Sequence, residues 1–178
     1  MPLAQANEYF THLQQQVDWQ HDEVMMFGKV ITTRRKVAWY ADPGFAYSYS
    51  NRCKEAKPWI PVILKLKKMA ETLTNEHFNG CLLNLYHDGH EGMGWHSDAE
   101  KTLKPDAAIV SLSFGAKRKF VFKHKKNQEK VSQELEHGSC LVMKGCTQQH
   151  WWHCLPPKRS VHSARINLTF RCANRSVL

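Results

Sequence analysis

The sequence predicts a mainly β chain with flanking helices, an α+β fold of the sandwich or jelly-roll kind. One stretch with helical spacing of apolar residues is followed by a succession of short apolar or alternating runs, with glycine-bearing turns between them. After Pro58, residues Val62, Leu66, Met69, Ala70 and Leu73 recur at i, i+4, i+7, i+8 and i+11, the period of an amphipathic helix. Pro58 and Pro61 suit its start. The pattern then changes to runs over Cys81 to Tyr86, Ile109 to Phe114, Lys119 to His124, Ser139 to Lys144 and Arg165 to Arg171, which read as strands. Gly115-Ala116-Lys117-Arg118 reads as a hairpin turn between two of them, and Gly138 and Gly145 bracket another. Lys123 to Lys130 reads as a surface loop. Helix first, then a mostly antiparallel β core, is the order that follows, with a mouth between two sheets that can hold a metal and small ligands.

At 178 residues the chain fits one domain with a substantial core. Hydrophobic residues at 42% and charged ones at 23% are ordinary globular proportions, which exclude disordered and fibrous classes. The charge is unusual: Lys plus Arg number 25 against 16 Asp plus Glu, a formal +9. Such an excess suits a polyanionic partner, although a solvated positive face produces it equally well. The apolar runs are short and interrupted, far below the ~20 residues of a membrane span, so no membrane association is expected. The first residues lack a basic segment followed by an apolar run, hence no secretory signal and a reducing, intracellular setting are expected. None of the six cysteines forms a C-x-x-C pair, so they read as free thiols, mostly buried.

His96-Ser97-Asp98 can present an imidazole and a carboxylate to one metal ion, because residues two apart on a strand share a face. His153, in an aromatic-rich segment after the Ser139 to Lys144 strand, is the candidate third ligand, or alternatively a packed core histidine. Two histidines and one carboxylate form the facial triad of non-haem Fe(II) oxygenases, which leaves positions open for a co-substrate and O2. In Arg165 to Arg171, alternation puts Arg165, Asn167, Thr169 and Arg171 on one face and Ile166, Leu168 and Phe170 on the other. Two arginines facing a core are costly unless paired, and a small dicarboxylate could satisfy both through forked hydrogen bonds. At ~3.3 Å per residue their backbones are about 20 Å apart, so the side chains must lean inward to share one ligand. An exposed strand face with both arginines in water is the other reading.

Taken together, Asn84-Leu85-Tyr86, His96-x-Asp98, Ser111-x-Ser113-Phe114-Gly115, Leu135-Glu136-His137-Gly138, His153 and the Arg165 to Arg171 run resemble the AlkB family of DNA-repair dioxygenases in order and spacing, over about residues 24 to 171. The resemblance implies a double-stranded β-helix, the jelly-roll form, as a single domain over 1–178. Its N-terminal helical and nucleotide-recognition part would run to about residue 78 and its catalytic core over about 79–172. It also implies Fe(II) on His96, Asp98 and His153, and 2-oxoglutarate with its distal carboxylate held by Arg165, Asn84 and Tyr86. Arg171 would help bind the carboxylate near the metal, and Asn167 and Thr169 would line the same pocket. The implied reaction couples 2-oxoglutarate and O2 to succinate and CO2, hydroxylates a base N-methyl group, and releases formaldehyde.

A methyl on the pairing edge of a base is reached only after the nucleotide is extruded from the duplex. By the same resemblance, Tyr47-Ser48-Tyr49 is the base-stacking segment, with Tyr49 and the His96 ring flanking the base, and Ala99 and Glu100 lie beside it. A carboxylate at Glu100 would favour the cationic bases 1-methyladenine and 3-methylcytosine. Val24-Met25-Met26-Phe27-Gly28-Lys29 is similar to the finger hairpin of the duplex-preferring branch, with Phe27 as the wedge that fills the vacated stack. Arg34, Arg35, Lys36, Lys158 and Arg159 would then contact phosphates. The expected partner is alkylated DNA, duplex or single-stranded, for a monomer in the cytoplasm of a prokaryote or the nucleus of a eukaryote. An RNA demethylase or protein hydroxylase on the same iron core, and a non-catalytic nucleic-acid-binding module, are the alternative readings.

Overall fold

A computed structural model describes residues 1–26, 29–44, 47–49, 52–54, 56–100 and 102–174, with the backbone alone for 24–26, 47–49 and 52–54. Phe27 and Gly28 lie outside the described residues, as do the side chains of Tyr47, Ser48 and Tyr49. The chain runs α1 (Leu3–Gln16), β1 (Gln20–Met26), β2 (Lys29–Ala41), β3 (Tyr47–Tyr49), β4 (Arg52–Lys54), α2 (Pro61–Thr74), β5 (Gly80–Tyr86), β6 (Met93–His96), β7 (Ile109–Gly115), β8 (Arg118–His124), β9 (Lys130–Leu135), β10 (Ser139–Met143), α3 (Thr147–His150), β11 (Trp151–Leu155) and β12 (Arg165–Arg171). A six-stranded sheet has the order β1-β2-β5-β12-β7-β10, a four-stranded sheet the order β6-β11-β8-β9, and β3 pairs with β4. All the paired strands are antiparallel, and the expected mainly β architecture with flanking helices is the one observed.

The period of two along a strand divides the larger sheet into two chemically distinct faces. Leu83 and Leu85 of β5, Val110, Leu112 and Phe114 of β7, and Ile166, Leu168 and Phe170 of β12 join the main apolar cluster. Ala6 and Leu13 of α1, with Val62, Ile63, Leu66 and Ala70 of α2, cover that face. The opposite face carries Asn84, Tyr86, Ser111, Ser113 and the polar residues of β12 and looks into a cavity bounded on its far side by the smaller sheet. Thus β12 is buried along its whole length, with each face buried for a different reason.

Several expectations need correction. Helix α2 begins with Pro61 in its first turn as predicted, but Met69 and Leu73 are exposed, and Ile63 and Lys67 are buried instead. The structure also adds α1, whose residues Ala6, Phe10 and Leu13 have helical spacing but lie in a polar, glutamine-rich stretch with no side-chain cap at its start. Gly115 to Arg118 is a corner rather than a hairpin turn, because β7 and β8 belong to different sheets. Gly115 sits there at φ +85°, close against Phe10 and the Ala164 carbonyl, where a side chain would clash. The Lys123 to Lys130 stretch holds the end of β8 and the start of β9, so only its middle is a connection. Among the described cysteines, Cys81 and Cys154 are buried but Cys140 and Cys146 are exposed, so burial is not their common property. No described helix is long and apolar enough to cross a membrane.

Candidate functional site

His96 and His153 are brought together by strand register. They are direct cross-strand partners of β6 and β11, with ring centroids 4.3 Å apart and Nε2 atoms 3.1 Å apart. Asp98 follows β6, and its Oδ2 lies 3.9 Å from His153 Nε2. The candidate ligand atoms of His96, Asp98 and His153 all lie within 4.8 Å of one another. Two donors in adjacent octahedral positions, each about 2.1 Å from one ion, are about 3.0 Å apart, so the imidazole spacing fits a shared metal.

Surrounding groups set the orientation and charge of this triad. His96 Nδ1 lies 2.9 Å from the Gly94 carbonyl, a bond that places the proton on Nδ1 and leaves Nε2 as the donor to a metal. Arg171 Nη2 donates to Asp98 Oδ1 at 2.6 Å, while the Asp98 amide donates to Gln148 Oε1 at 2.9 Å. Burial pushes the Asp98 pKa up, but the charges of Arg171 and the two histidines outweigh it and hold the carboxyl below its usual range. Burial, together with neighbouring His96, pushes His153 down to about 4. At neutral pH Asp98 is therefore ionised and His153 neutral, the states in which both ligate metals. Phe120 stacks on the His153 ring at 5.3 Å and fixes its plane.

From the triad the cavity extends along β12. Arg165 is 2% exposed, donates from Nη2 to Ser113 Oγ at 2.8 Å and lies over the Tyr86 ring at 5.5 Å. Burial pushes it down to about 10, so it is still cationic at neutral pH, yet among the described residues no carboxylate pairs with it. Its Nε and the Oδ1 of Asn84 are buried without a hydrogen-bond partner. A buried guanidinium beside unmatched polar atoms requires an anion, and a carboxylate meets its forked donors well. Asn167 donates to Ser111 Oγ and the Leu112 carbonyl and accepts from Thr169 Oγ1, so these two residues form a connected polar floor. Arg171, three pleat repeats along β12 from Arg165, lines the same cavity and donates from Nη2 to Asp98.

The nucleic-acid residues are placed less uniformly. Within the segment read as a finger, β1 pairs antiparallel with β2 out to Met26↔Lys29, and Phe27 and Gly28 lie outside the described residues. Ala99 is exposed, and Glu100 is half-buried on the cavity wall. Lys29, Lys158 and Arg159 are exposed, and Lys158 is held through its amide to the Gly89 carbonyl at 2.6 Å. Arg35 does not present itself to an outside phosphate: it is 6% exposed, lines the cavity and pairs with Asp22 at 2.6 Å. An irregularity in the β1–β2 register, between His21 and Glu23, turns this pair inward. Arg34 remains exposed, near Asp88 and Glu91, and Lys36 is half-buried.

Sequence reasoning missed Asp22, Gln148 and Arg118. Arg118 was expected in a turn, but it is fully buried and donates to the carbonyls of Asp88, Glu91 and Pro156, tying together two loops beside the cavity. A buried arginine satisfied by backbone carbonyls leaves no residue pattern to find. Asp22 and Gln148 likewise acquire their places only through distant partners.

The sequence profile of the 2OG-Fe(II) oxygenase superfamily matches residues 1–171. The chain is 40% identical to the human DNA oxidative demethylase ALKBH2, over 94% of this chain and 69% of that protein. It is 36% identical to the bovine alpha-ketoglutarate-dependent dioxygenase alkB homolog 3, over 95% of this chain and 62% of the relative. The solved structure of OsALKBH1 shares the fold at a TM-score of 0.61 and 16% identity, covering 94% of this chain and 91% of that one. The chain therefore belongs to the 2OG-Fe(II) oxygenase superfamily, in its AlkB branch, and is a dioxygenase that depends on Fe(II), 2-oxoglutarate and O2.

Proposed function

We propose that this dioxygenase demethylates N-alkylated bases in DNA, with 1-methyladenine and 3-methylcytosine as the lesion type and duplex as the preferred form. The observation that carries this reading is one cavity lined by both the His96, Asp98 and His153 cluster and the buried, carboxylate-free Arg165, in a chain 40% identical to a protein named DNA oxidative demethylase. In this reading His96, Asp98 and His153 hold the metal. Arg165, Asn84 and Tyr86 grip the distal carboxylate of 2-oxoglutarate, and Asn167 and Thr169 form the floor beneath it. Arg171 holds Asp98 ionised and oriented through Nη2, and the same guanidinium, lining the cavity, helps bind the carboxylate nearer the metal.

When bound, Fe(II) with 2-oxoglutarate and O2 supplies the oxidising chemistry that converts an N-methyl group into a hydroxymethyl group, which is then lost as formaldehyde. The chain's own contribution is orientation and exclusion of water. Phe120 and Phe122 pack about His153 and give that ligand an apolar surround. Tyr47, Ser48, Tyr49, Ala99 and Glu100 are assigned to the extruded base, Phe27 and Gly28 to the vacated stack, and Lys29, Lys158 and Arg159 to phosphates. The test incubates the protein with Fe(II), ascorbate, 2-oxoglutarate and methylated oligonucleotides, single- or double-stranded, and follows base mass. Replacement of one methyl by hydrogen, a net loss of CH2, with stoichiometric succinate is expected. Succinate formation without any change in either oligonucleotide would overturn the substrate assignment.

A further inference from the structure

The Asp22–Arg35 pair lies outside the residues assigned above to metal and co-substrate, yet it is built into the cavity wall. Both residues are buried, Asp22 at 3% and Arg35 at 6% exposure, and they meet at 2.6 Å. The strand order explains the position: outward from β12 come β5, β2 and then the edge strand β1, so this pair lies toward the sheet edge. Arg35 also reaches Met93 Sδ at 3.2 Å, joining the larger sheet to β6 of the smaller one. The register irregularity between His21 and Glu23, with the Thr33 hydroxyl donating to the Arg35 carbonyl at 2.8 Å, sets the local backbone. Bulges of this kind re-aim side chains beside active sites.

Among the described residues, six charged side chains line the cavity: Asp22, Asp98 and Glu100 against Arg35, Arg165 and Arg171. A ferrous ion and the 2-oxoglutarate dianion carry equal and opposite charge, so the loaded cavity is formally balanced. A base methylated at a ring nitrogen of the adenine N1 or cytosine N3 type is a cation, whereas 1-methylguanine and 3-methylthymine are neutral. We infer that Asp22 is a specificity-determining residue, which neutralises Arg35 so that the cavity accepts cationic methylated bases. This inference rests on the base-demethylase reading above. Without the Asp22 charge, Arg35 faces the entering cation uncompensated in a partly dry site, where like charges repel far more strongly than in water.

The experiment measures kcat/KM for oligonucleotides carrying 1-methyladenine or 3-methylcytosine and for those carrying 1-methylguanine or 3-methylthymine, and takes the cationic-to-neutral ratio. Asp22→Asn should lower that ratio roughly 10- to 100-fold, as expected for one unscreened charge at short range. Arg35→Gln should raise it, and the double variant Asp22→Asn/Arg35→Gln should bring it back toward wild type. These opposite signs keep the inference testable even where Asp22→Asn alone fails to fold, because Arg35→Gln and the charge-balanced double variant still report. Equal losses on both lesion classes, or a double variant that leaves the ratio low, would reduce Asp22 to a structural brace and overturn the inference. A wild type that makes succinate but demethylates neither class overturns the base-demethylase reading itself, and the role of Asp22 with it.

Discussion

Asp98 is at once a candidate metal ligand and the partner of a buried arginine, and two substitutions separate these roles. Asp98→Ala removes the carboxylate that meets the buried Arg171 guanidinium and should destabilise the metal-free protein by about 3 kcal/mol. Asp98→Asn keeps an acceptor for Arg171 and should melt closer to wild type, yet both variants should lose Fe(II) binding and demethylation; melting curves beside metal titrations check this. At Arg165, substitution by alanine removes the cation that awaits the distal carboxylate, and the apparent KM for 2-oxoglutarate should rise about 10- to 100-fold. An unchanged KM in a folded variant would take Arg165 out of the site. His153 sets a pH dependence in the metal-free protein. Its folded value of about 4 lies below the unfolded histidine value of about 6.5, so between these the unfolded chain holds a proton that the folded chain refuses. Stability should therefore fall as pH drops from about 6.5 to 4, by a total on the order of 3 kcal/mol. Thermal melts across that range should show the slope in wild type and a flatter profile in His153→Gln.

Among the elements, the β1–β2 hairpin has the most specific task. Its strands extend the larger sheet beyond β5 and pair out to Met26↔Lys29. With Phe27 as the wedge, Phe27→Ala should lose stacking on the order of 1–3 kcal/mol. Turnover of duplex substrate should then fall roughly 5- to 150-fold, with little change on single strands, where no stack is vacated. The quantity to measure is the duplex-to-single-strand ratio of kcat/KM at fixed salt, and a ratio equal to wild type would make Phe27 an ordinary apolar residue of the hairpin. On the outer side of the metal-bearing strands, Lys123 lies 4.9 Å from the Trp95 ring and 4.8 Å from Trp152. Each tryptophan immediately precedes a candidate metal-binding histidine, so this cation–π bridge ties β6 and β11 together behind the site.

At the scale of the whole molecule, the formal charge of +9 acts on encounter with a polyanion rather than on chemistry. Lys158 and Arg159 are both exposed, and as the proposed phosphate contacts they should weaken binding to either form of DNA when neutralised. The double change Lys158→Gln/Arg159→Gln should reduce the slope of log affinity against log salt by about 1.8 on duplex, at about 0.9 for each phosphate contact. Filter binding over a salt series gives that slope, and an unaltered value would place both residues off the DNA path.

What the sequence determined by itself was local and periodic. The alternation over Arg165 to Arg171 carried both faces of β12, and the His96–Asp98 pair and the helix start at Pro61 were readable from spacing, whereas His153 joined them through the family resemblance. These features depend on neighbours within a few residues, which is the range over which strand and helix periods act. Only the tertiary structure decided that β7 and β8 part into two sheets, since a glycine-bearing link has the same composition whether its strands pair or diverge. It also decided that Arg171 donates to Asp98 and that Arg35 turns inward to Asp22, where the resemblance had placed Arg35 on phosphate. An arginine is long enough to reach several partners, and burial, set by residues 73 and 13 positions away, selects which one it meets.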